Sequence, residues 1–191
     1  MMRKLKLQVQ ISIDGFIGGI NGSMDWLTMN WSDDISAYVN EITEPVDTIL
    51  LGKNLAMGFI PHWMEVAGDA YHPEQHAGKK YFETPKIVFT KTLKHTEWPN
   101  TEVNNGPLEP EVNRIKKATG GDIIVYGGAS FVSALLKKQL IDELHLFINP
   151  VILGKGMSIF QAINQQQHYN LETSRQFDCG IVMLRYSLKS S

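Results

Sequence analysis

The sequence contains a single cysteine, Cys179, among 191 residues. One thiol cannot form an internal disulfide or build a cysteine zinc site, which is typical of proteins from a reducing compartment. No apolar run approaches the roughly 18 to 20 residues that span a membrane. The charged N-terminus passes directly into an alternating segment and not into the apolar core of a signal peptide. We therefore expect a cytoplasmic protein that does not bind membranes.

An excess of positive charge is also missing. Eighteen basic residues face 20 acidic residues, and the formal net charge is -2. Such a chain has no overall positive field to attract nucleic acid, so nucleic acid is not an expected partner. The remaining composition, 43% hydrophobic and 20% charged, is that of an ordinary globular protein. A length of 191 residues favours a single domain over residues 1–191.

Several catalytic motifs are absent. The sequence has no Gly-x-Ser-x-Gly elbow, no phosphate loop ending in Gly-Lys-Ser/Thr, and no His-Glu-x-x-His. These absences weaken hydrolase and ATPase interpretations. His72 and His76 have a spacing that suits metal ligation on a helix, but Pro73 keeps His72 outside such a helix. We expect no metal site.

The hydrophobic pattern alternates between strands and helices. Residues 4–13 alternate strictly between apolar and polar, which predicts a first strand. Short apolar strands are predicted at 47–51, 86–90 and 122–126, another apolar segment at 143–153, and a closing hairpin over 171–188 that turns near 178–180. Helices are predicted from Ser32 to about Ile42, in a short segment from Lys53, near 73–82, at 111–118 and along 131–140. The pattern predicts a mixed, mostly parallel sheet covered on both faces, with a C-terminal antiparallel hairpin.

Glycines follow one predicted strand directly and precede a predicted helix. The segment is Gly127-Gly128-Ala129-Ser130, after the strand that ends with Tyr126. Backbone N–H groups at a helix N-terminus bind phosphate, and glycines let a pyrophosphate approach closely. The full Gly-x-Gly-x-x-Gly fingerprint is not present, so an ordinary tight strand-to-helix turn stays a valid alternative.

Two other strand ends carry similar signals. Gly52-Lys53-Asn54 follows the second strand, and Thr90-Lys91 follows the third. A lysine in the first turn of a helix opposes the helix dipole unless an anion binds beside it, although a solvated lysine is equally compatible. If these strands are parallel neighbours, their ends form one dinucleotide site at the carboxyl edge of the sheet.

Asp14 ends the first strand and precedes a glycine-rich loop. A carboxylate there could position or protonate a substrate, or it could be a turn residue bonded to nearby backbone. Trp26, just beyond, could stack on a flat substrate ring or simply pack.

Three of these segments resemble one known family. Residues 127–156, GGASFVSALLKKQLIDELHLFINPVILGKG, together with Ser12-Ile13-Asp14-Gly15 and Leu51-Gly52-Lys53-Asn54, resemble the reductase domain of the bifunctional riboflavin-biosynthesis deaminase-reductase and its stand-alone relatives. That family belongs to the dihydrofolate reductase-like superfamily. The resemblance implies a three-layer α/β/α fold with a central mixed sheet. The zinc signature of the deaminase half is absent from this chain.

The resemblance also implies a cofactor and site residues. NADPH would lie along the carboxyl edge, with its pyrophosphate at Gly127 to Ser130, including Gly128 and Ala129. Gly52, Lys53, Asn54, Thr90 and Lys91 would hold the adenosine half and its 2'-phosphate, and Tyr126 would approach the nicotinamide. Lysine stands at position 53 where the family usually has arginine, which weakens the preference for NADPH over NADH.

The implied activity is hydride transfer from NADPH to a C=N or C=O bond of a small heterocyclic substrate. It is similar to that of 5-amino-6-(5-phosphoribosylamino)uracil reductase. Asp14 would be catalytic and would face the substrate, and Asp34 or its neighbour Asp33 would contact the substrate from the first long helix. Trp26 is a further substrate candidate from its position beside the loop. The alternatives are dihydrofolate reductase activity, a non-catalytic nucleotide-binding module, or an assembly subunit that binds no dinucleotide. By analogy, apolar strands such as 144–148 suggest a homodimer.

Overall fold

The computed structural model describes residues 2–189 of the chain. Its strands are β1 (Leu5–Ser12), β2 (Val46–Gly52), β3 (Lys86–Phe89), β4 (Thr101–Asn104), β5 (Asp122–Val125), β6 (Glu143–Asn149), β7 (Tyr169–Gln176) and β8 (Val182–Leu188). Its helices are α1 (Asp33–Thr43), α2 (Lys53–Gly68), α3 (Gln75–Glu83), α4 (Leu108–Lys117) and α5 (Ala129–Lys137).

All eight of these strands belong to one sheet, in the order β4-β3-β2-β5-β1-β6-β8-β7. The six strands from β4 to β6 in that order pair in parallel. Strand β8 pairs antiparallel with β6, and β7 antiparallel with β8. The predicted mixed, mostly parallel sheet with a closing antiparallel hairpin is confirmed. Because parallel strands point the same way, the carboxyl ends of six strands meet at one edge.

Helices cover both faces of the sheet and make three layers. On β5, Ile123 and Val125 pack in the cluster that contains α4 and α5 side chains. Ile124, between them, packs in the cluster that contains α2 side chains. Successive strand residues point to opposite faces, so a strand covered on both sides is apolar throughout. This explains the continuous apolar run of β5.

Strand β1 departs from that rule because its alternate residues are polar and still buried. Lys6 is 7% exposed, and its Nζ donates to the carbonyl of Ile42 at the end of α1 and pairs with Asp122 at 2.8 Å. Gln8 is equally buried. The alternation of β1 therefore separates an apolar buried face from a polar buried face beneath α1.

Two elements differ from the sequence prediction. The short helix expected from Lys53 continues to Gly68 and includes Pro61. Proline lacks the N–H that would bond the carbonyl of Met57, four residues earlier, and the helix continues without that bond. Buried Ala56 and Ile60 hold the helix on the sheet.

The second difference is β4, which lies in a segment predicted as a polar connection. It has four residues, and only Asn104 among them is buried. Strand β4 is at the edge of the sheet and pairs only with β3. A short, mostly polar edge strand has neither an apolar run nor a long alternation, so the sequence pattern did not reveal it.

Candidate functional site

A groove of about 300 Å³ lies at the carboxyl edge of the sheet, where β3, β2 and β5 end. The residues that line it are Gly52, Lys53, Asn54, Leu55, Phe89, Thr90, Lys91, Gly128, Ser130 and Phe131. The three strand ends singled out in the sequence therefore contribute to one groove. Leu55, Phe89 and Phe131 add an apolar lining that the sequence analysis did not assign.

Two helices begin at this groove without a side-chain cap. Gly52 is the N-cap of α2 and Gly128 is the N-cap of α5, and neither helix has an acidic residue in its first turn. The first N–H groups of a helix have no partner within the helix, and together they carry a partial positive charge. The groove thus has two sets of N–H donors suited to anions.

Glycine is needed at both caps for different reasons. Gly128 has a φ of +80°, a backbone conformation that residues other than glycine rarely adopt. A Cβ on Gly52 would lie 2.8 Å from the Cβ of Phe131, closer than two carbon atoms can pack. Gly52 therefore lets the first turn of α5 pack directly against the end of β2.

Two lysines lie at the β3 end of the groove. Lys53 Nζ donates to the Thr92 hydroxyl at 2.9 Å. Lys91 Nζ donates to the carbonyls of Asn105 and Gly106 at 3.0 and 3.2 Å. These are neutral acceptors, so both ammonium charges stay uncompensated by these bonds. Two cations beside uncapped helix N-termini suit a ligand with several phosphates.

Asp14 lies outside this groove, in the loop that follows β1. Its carboxylate accepts hydrogen bonds from the Ser12 hydroxyl at 2.7 Å and from the N–H groups of Leu153 and Gly154 at 3.1 and 2.7 Å. The Ser12 bond, and then the two N–H bonds, lower the pKa of Asp14 below its ordinary 3.8. Asp14 is ionised at neutral pH and joins two loops that are 140 residues apart.

Asp34 has a comparable role at the start of α1. Its carboxylate accepts bonds from the Ser32 hydroxyl, the Ile35 N–H and the Asp178 N–H. Mainly through Ser32, these bonds lower the pKa of Asp34. Ser32 occupies the predicted N-cap position of α1 but makes no side-chain cap bond, since its hydroxyl donates to Asp34. Asp34 thus connects α1 to the β7–β8 turn.

The remaining candidates from the sequence lie near the edge without lining the groove. Trp26 is half-buried, and its indole N–H donates to the Ser23 carbonyl. Ala129 is 4% exposed and packs into the core. The ring of Tyr126 stacks on Phe59 of α2, with ring centroids 5.5 Å apart.

Asn149, which ends β6 and is fully buried, has a role that the sequence does not predict. Its amide nitrogen donates to Gln10 Oε1 at 2.7 Å, and its amide oxygen accepts the Thr28 N–H at 2.9 Å. Asn149 therefore holds the long loop after β1 onto the sheet. No local signal marks such a residue, because Gln10 and Thr28 are more than 100 residues away in the chain.

Within residues 2–189, no group of three or more histidine, cysteine, aspartate or glutamate side chains is placed to hold a metal ion. His72 instead accepts a hydrogen bond from the Glu74 N–H. Among the same residues, no helix is both long and apolar enough to cross a bilayer.

Comparison with known proteins identifies the family. The family described as the RibD C-terminal domain matches residues 3–183. The chain belongs to this family. It is 33% identical over 187 residues to the uncharacterised protein YyaP of Bacillus subtilis, with 96% of this chain and 94% of YyaP covered. The family resemblance inferred from the motifs is confirmed.

Solved structures share the fold. A putative riboflavin biosynthesis protein from Shewanella sp. PV-4 superposes with a TM-score of 0.73 at 21% identity, and each chain is covered completely. A diaminohydroxyphosphoribosylaminopyrimidine deaminase/5-amino-6-(5-phosphoribosylamino)uracil reductase from Thermotoga maritima gives a TM-score of 0.70 at 16% identity, with 98% of this chain and 57% of that one covered. These likenesses confirm the three-layer fold of the dihydrofolate reductase type.

Proposed function

We propose that the protein is an NADPH-dependent reductase that transfers hydride to a C=N or C=O bond of a small heterocyclic substrate. Membership of the RibD C-terminal domain family supports a reductase. The observation that carries the proposal is the groove in which two glycine-capped helix N-termini and two lysines converge.

The groove fits the charges of NADPH. In our proposal, the N–H groups that follow Gly128, with the Ser130 hydroxyl, bind the pyrophosphate. Thr90, Lys91, Lys53 and Asn54, at the β3 end of the groove, bind the adenosine half and its 2'-phosphate. Each lysine already bonds only neutral oxygen atoms, and so it can exchange them for a phosphate without breaking an ion pair.

When bound, the nicotinamide supplies the hydride, and the protein supplies orientation and charge. The lowered pKa of Asp14 makes it a poor direct proton donor at neutral pH. We infer that Asp14 fixes residues 153–154 beside the substrate and orients a water molecule that delivers the proton. Trp26, in the loop after β1, and Asp34, at the start of α1, would border the substrate.

Two substrates are candidates for this reaction. The first is 5-amino-6-(5-phosphoribosylamino)uracil, which is supported by the Thermotoga maritima neighbour and by a 25% identical RibD of Corynebacterium ammoniagenes, although the chain spans only 43% of that RibD. The second is dihydrofolate, which is supported by the fold alone. A nucleotide-binding module without turnover is the non-enzymatic alternative, and a homodimer is the proposed assembly.

Calorimetric titration with NADPH and NADH, followed by steady-state assays with both substrates, tests the proposal. We expect NADPH to bind at least tenfold more tightly than NADH and to be oxidised in the presence of one substrate class. Tight NADPH binding without consumption across a broad substrate panel would favour the non-catalytic module. Failure to bind either dinucleotide would refute the reductase assignment.

A further inference from the structure

A continuous set of aromatic rings extends from the glycine turn along α2. We call Phe59, Trp63, Tyr81 and Tyr126 the ring wall. Phe59 stacks on Tyr126 with centroids 5.5 Å apart and planes 20° apart. Tyr81 meets Tyr126 edge-on at 5.5 Å, and Trp63 lies 4.4 Å from Tyr81. The four rings therefore form one contiguous aromatic surface.

The ring wall begins where the cofactor groove ends. Tyr126 directly precedes Gly127, and Leu55 separates the wall from the groove, one helical turn before Phe59. The Cβ of Leu55 lies 3.7 Å from the position that a Cβ on Gly128 would occupy. A ligand in contact with the wall would therefore lie next to a dinucleotide held by the glycine turn.

The exposure of the ring wall differs from that of the other aromatic cluster in the protein. Tyr38, Phe147 and Phe177, beneath α1, are 6%, 0% and 1% exposed. The four residues of the wall are half-buried, and Phe59, Tyr81 and Tyr126 pack against the core on one side. Contiguous aromatic residues that stay half-buried beside a groove can line a ligand site, because such sites are lined mainly by apolar and aromatic side chains.

No lysine or arginine of the described residues lies over a ring of the wall. Among residues 2–189, cation–ring contacts involve only Arg175, which lies over Tyr38 and Phe177. Burial raises the pKa of Tyr81, and the carboxylate of Glu74 raises it further. Burial also raises the pKa of Tyr126. The wall therefore presents neutral rings, the hydroxyls of Tyr81 and Tyr126 are buried, and the carboxylate of Glu74 lies nearby.

We propose that the ring wall binds an uncharged planar aromatic ring of the substrate, and that Phe59 and Trp63 determine this specificity. The inference rests on the proposed reductase function and assigns the ring end of the substrate to α2. Offset or edge-on contacts with aromatic side chains favour a flat ring over a saturated ring of the same size.

Calorimetry with two neutral lactams tests the proposal, both with saturating NADPH and without it. The planar probe is 2-quinolinone, and the non-planar probe of matched size is octahydro-2-quinolinone. We expect the planar lactam to bind roughly tenfold more tightly, and we expect millimolar ribose 5-phosphate not to displace it. Phe59→Leu and Trp63→Leu should each remove most of this preference and leave NADPH affinity unchanged.

Tyr71→Leu is the matched control, because Tyr71 lies between α2 and α3, is 96% exposed and is outside the wall. It should keep the full preference for the planar probe. Equal binding of the two lactams, no binding of either, displacement by ribose 5-phosphate, or an unchanged preference in both wall variants would each overturn the proposal. Loss of NADPH binding refutes the reductase assignment instead, since the lactam titration is also run without NADPH.

Discussion

The carboxyl edge of the sheet has two halves that differ in how their polar groups are bonded. Over β3, β2 and β5, helices α2 and α5 begin at glycine with no acidic residue in their first turns, and Lys53 and Lys91 bond only neutral oxygens. Over β1 and β6, Asp14 and Asn149 each make several bonds to distant backbone or side-chain groups. We call these the open half and the bonded half.

This difference distinguishes polar groups that can bind a ligand from polar groups that stabilise the fold. Polar groups with unused hydrogen-bonding capacity at a groove are available to a ligand, whereas groups whose hydrogen bonds go to distant parts of the chain hold the fold together. A catalytic role predicted from sequence position alone, such as that of Asp14, can therefore be assessed only when the hydrogen-bond partners of the residue are known. The following substitutions test the contrast.

Gly128→Val should have the largest effect, and it should fall on binding. A valine at a φ of +80° is strained, and its side chain would occupy the groove. We expect NADPH affinity to fall roughly 100-fold, about 2.7 kcal/mol, by calorimetry. Gly180→Val is the control, because Gly180 has a φ of +89° in the β7–β8 turn. It should show a similar loss of stability with normal NADPH affinity, and equal affinity losses in both variants would contradict the open-half assignment.

Asn149→Ala should affect stability and not cofactor binding. The substitution leaves the Thr28 N–H and Gln10 Oε1 without their partner. We expect the free energy of unfolding to fall by about 2 kcal/mol, measured by urea denaturation. A normal unfolding curve combined with weakened NADPH binding would place Asn149 in the open half.

Lys91→Ala should distinguish the two dinucleotides. Removing one charged partner of a phosphate typically weakens binding about tenfold. We expect that loss for NADPH and no change for NADH, in paired calorimetric titrations. Lys94→Ala, at another exposed lysine of the same loop, is the control. An equal loss for both dinucleotides would show that Lys91 does not contact the 2'-phosphate.

Asp14→Asn should have the smallest effect on NADPH and a limited effect on turnover. A general acid contributes roughly 100- to 10,000-fold, whereas a carboxylate that positions a loop and orients a water molecule, without donating the proton itself, should contribute about tenfold or less. Steady-state kcat measures this difference. A loss above 100-fold would show that Asp14 donates the proton itself.

The same variant tests the effect of pH on stability. The folded-state pKa of Asp14 is lower than its ordinary 3.8, so its bonds stabilise the fold above that value. The stabilisation is lost as the pH falls through the folded-state pKa. Between pH 5 and pH 3 the Tm of the wild type should therefore fall by more than the Tm of Asp14→Asn, which lacks this stabilising contribution. Parallel pH curves for the two proteins would exclude this linkage.

The two halves also differ in how far the sequence predicts them. Gly52 and Gly128 were assigned from local order, because a strand, a glycine and a helix follow one another directly in the chain. The bonds of Asp14 to Leu153 and Gly154 depend on the pairing of β1 with β6, which local patterns do not specify.

The fold shows the same limit. The apolar runs of β2 and β5 and the turn near Gly180 were sufficient to predict the sheet type and the closing hairpin. Strand β4 is not predicted because its extended conformation depends on pairing with β3 and not on its own composition. The continuation of α2 through Pro61 is not predicted because the packing of Ile60 on the sheet outweighs the tendency of proline to end a helix.

The close approach of Gly52 to Phe131 also bears on how fast the groove can be filled. Folding itself fixes the separation of the two helix starts, since the end of β2 and the first turn of α5 pack in direct contact. A dinucleotide would then meet a receptor that is already assembled, with little loss of conformational entropy on association. Such preorganised sites bind without a slow rearrangement, and differences in affinity among their variants arise chiefly from the dissociation rate.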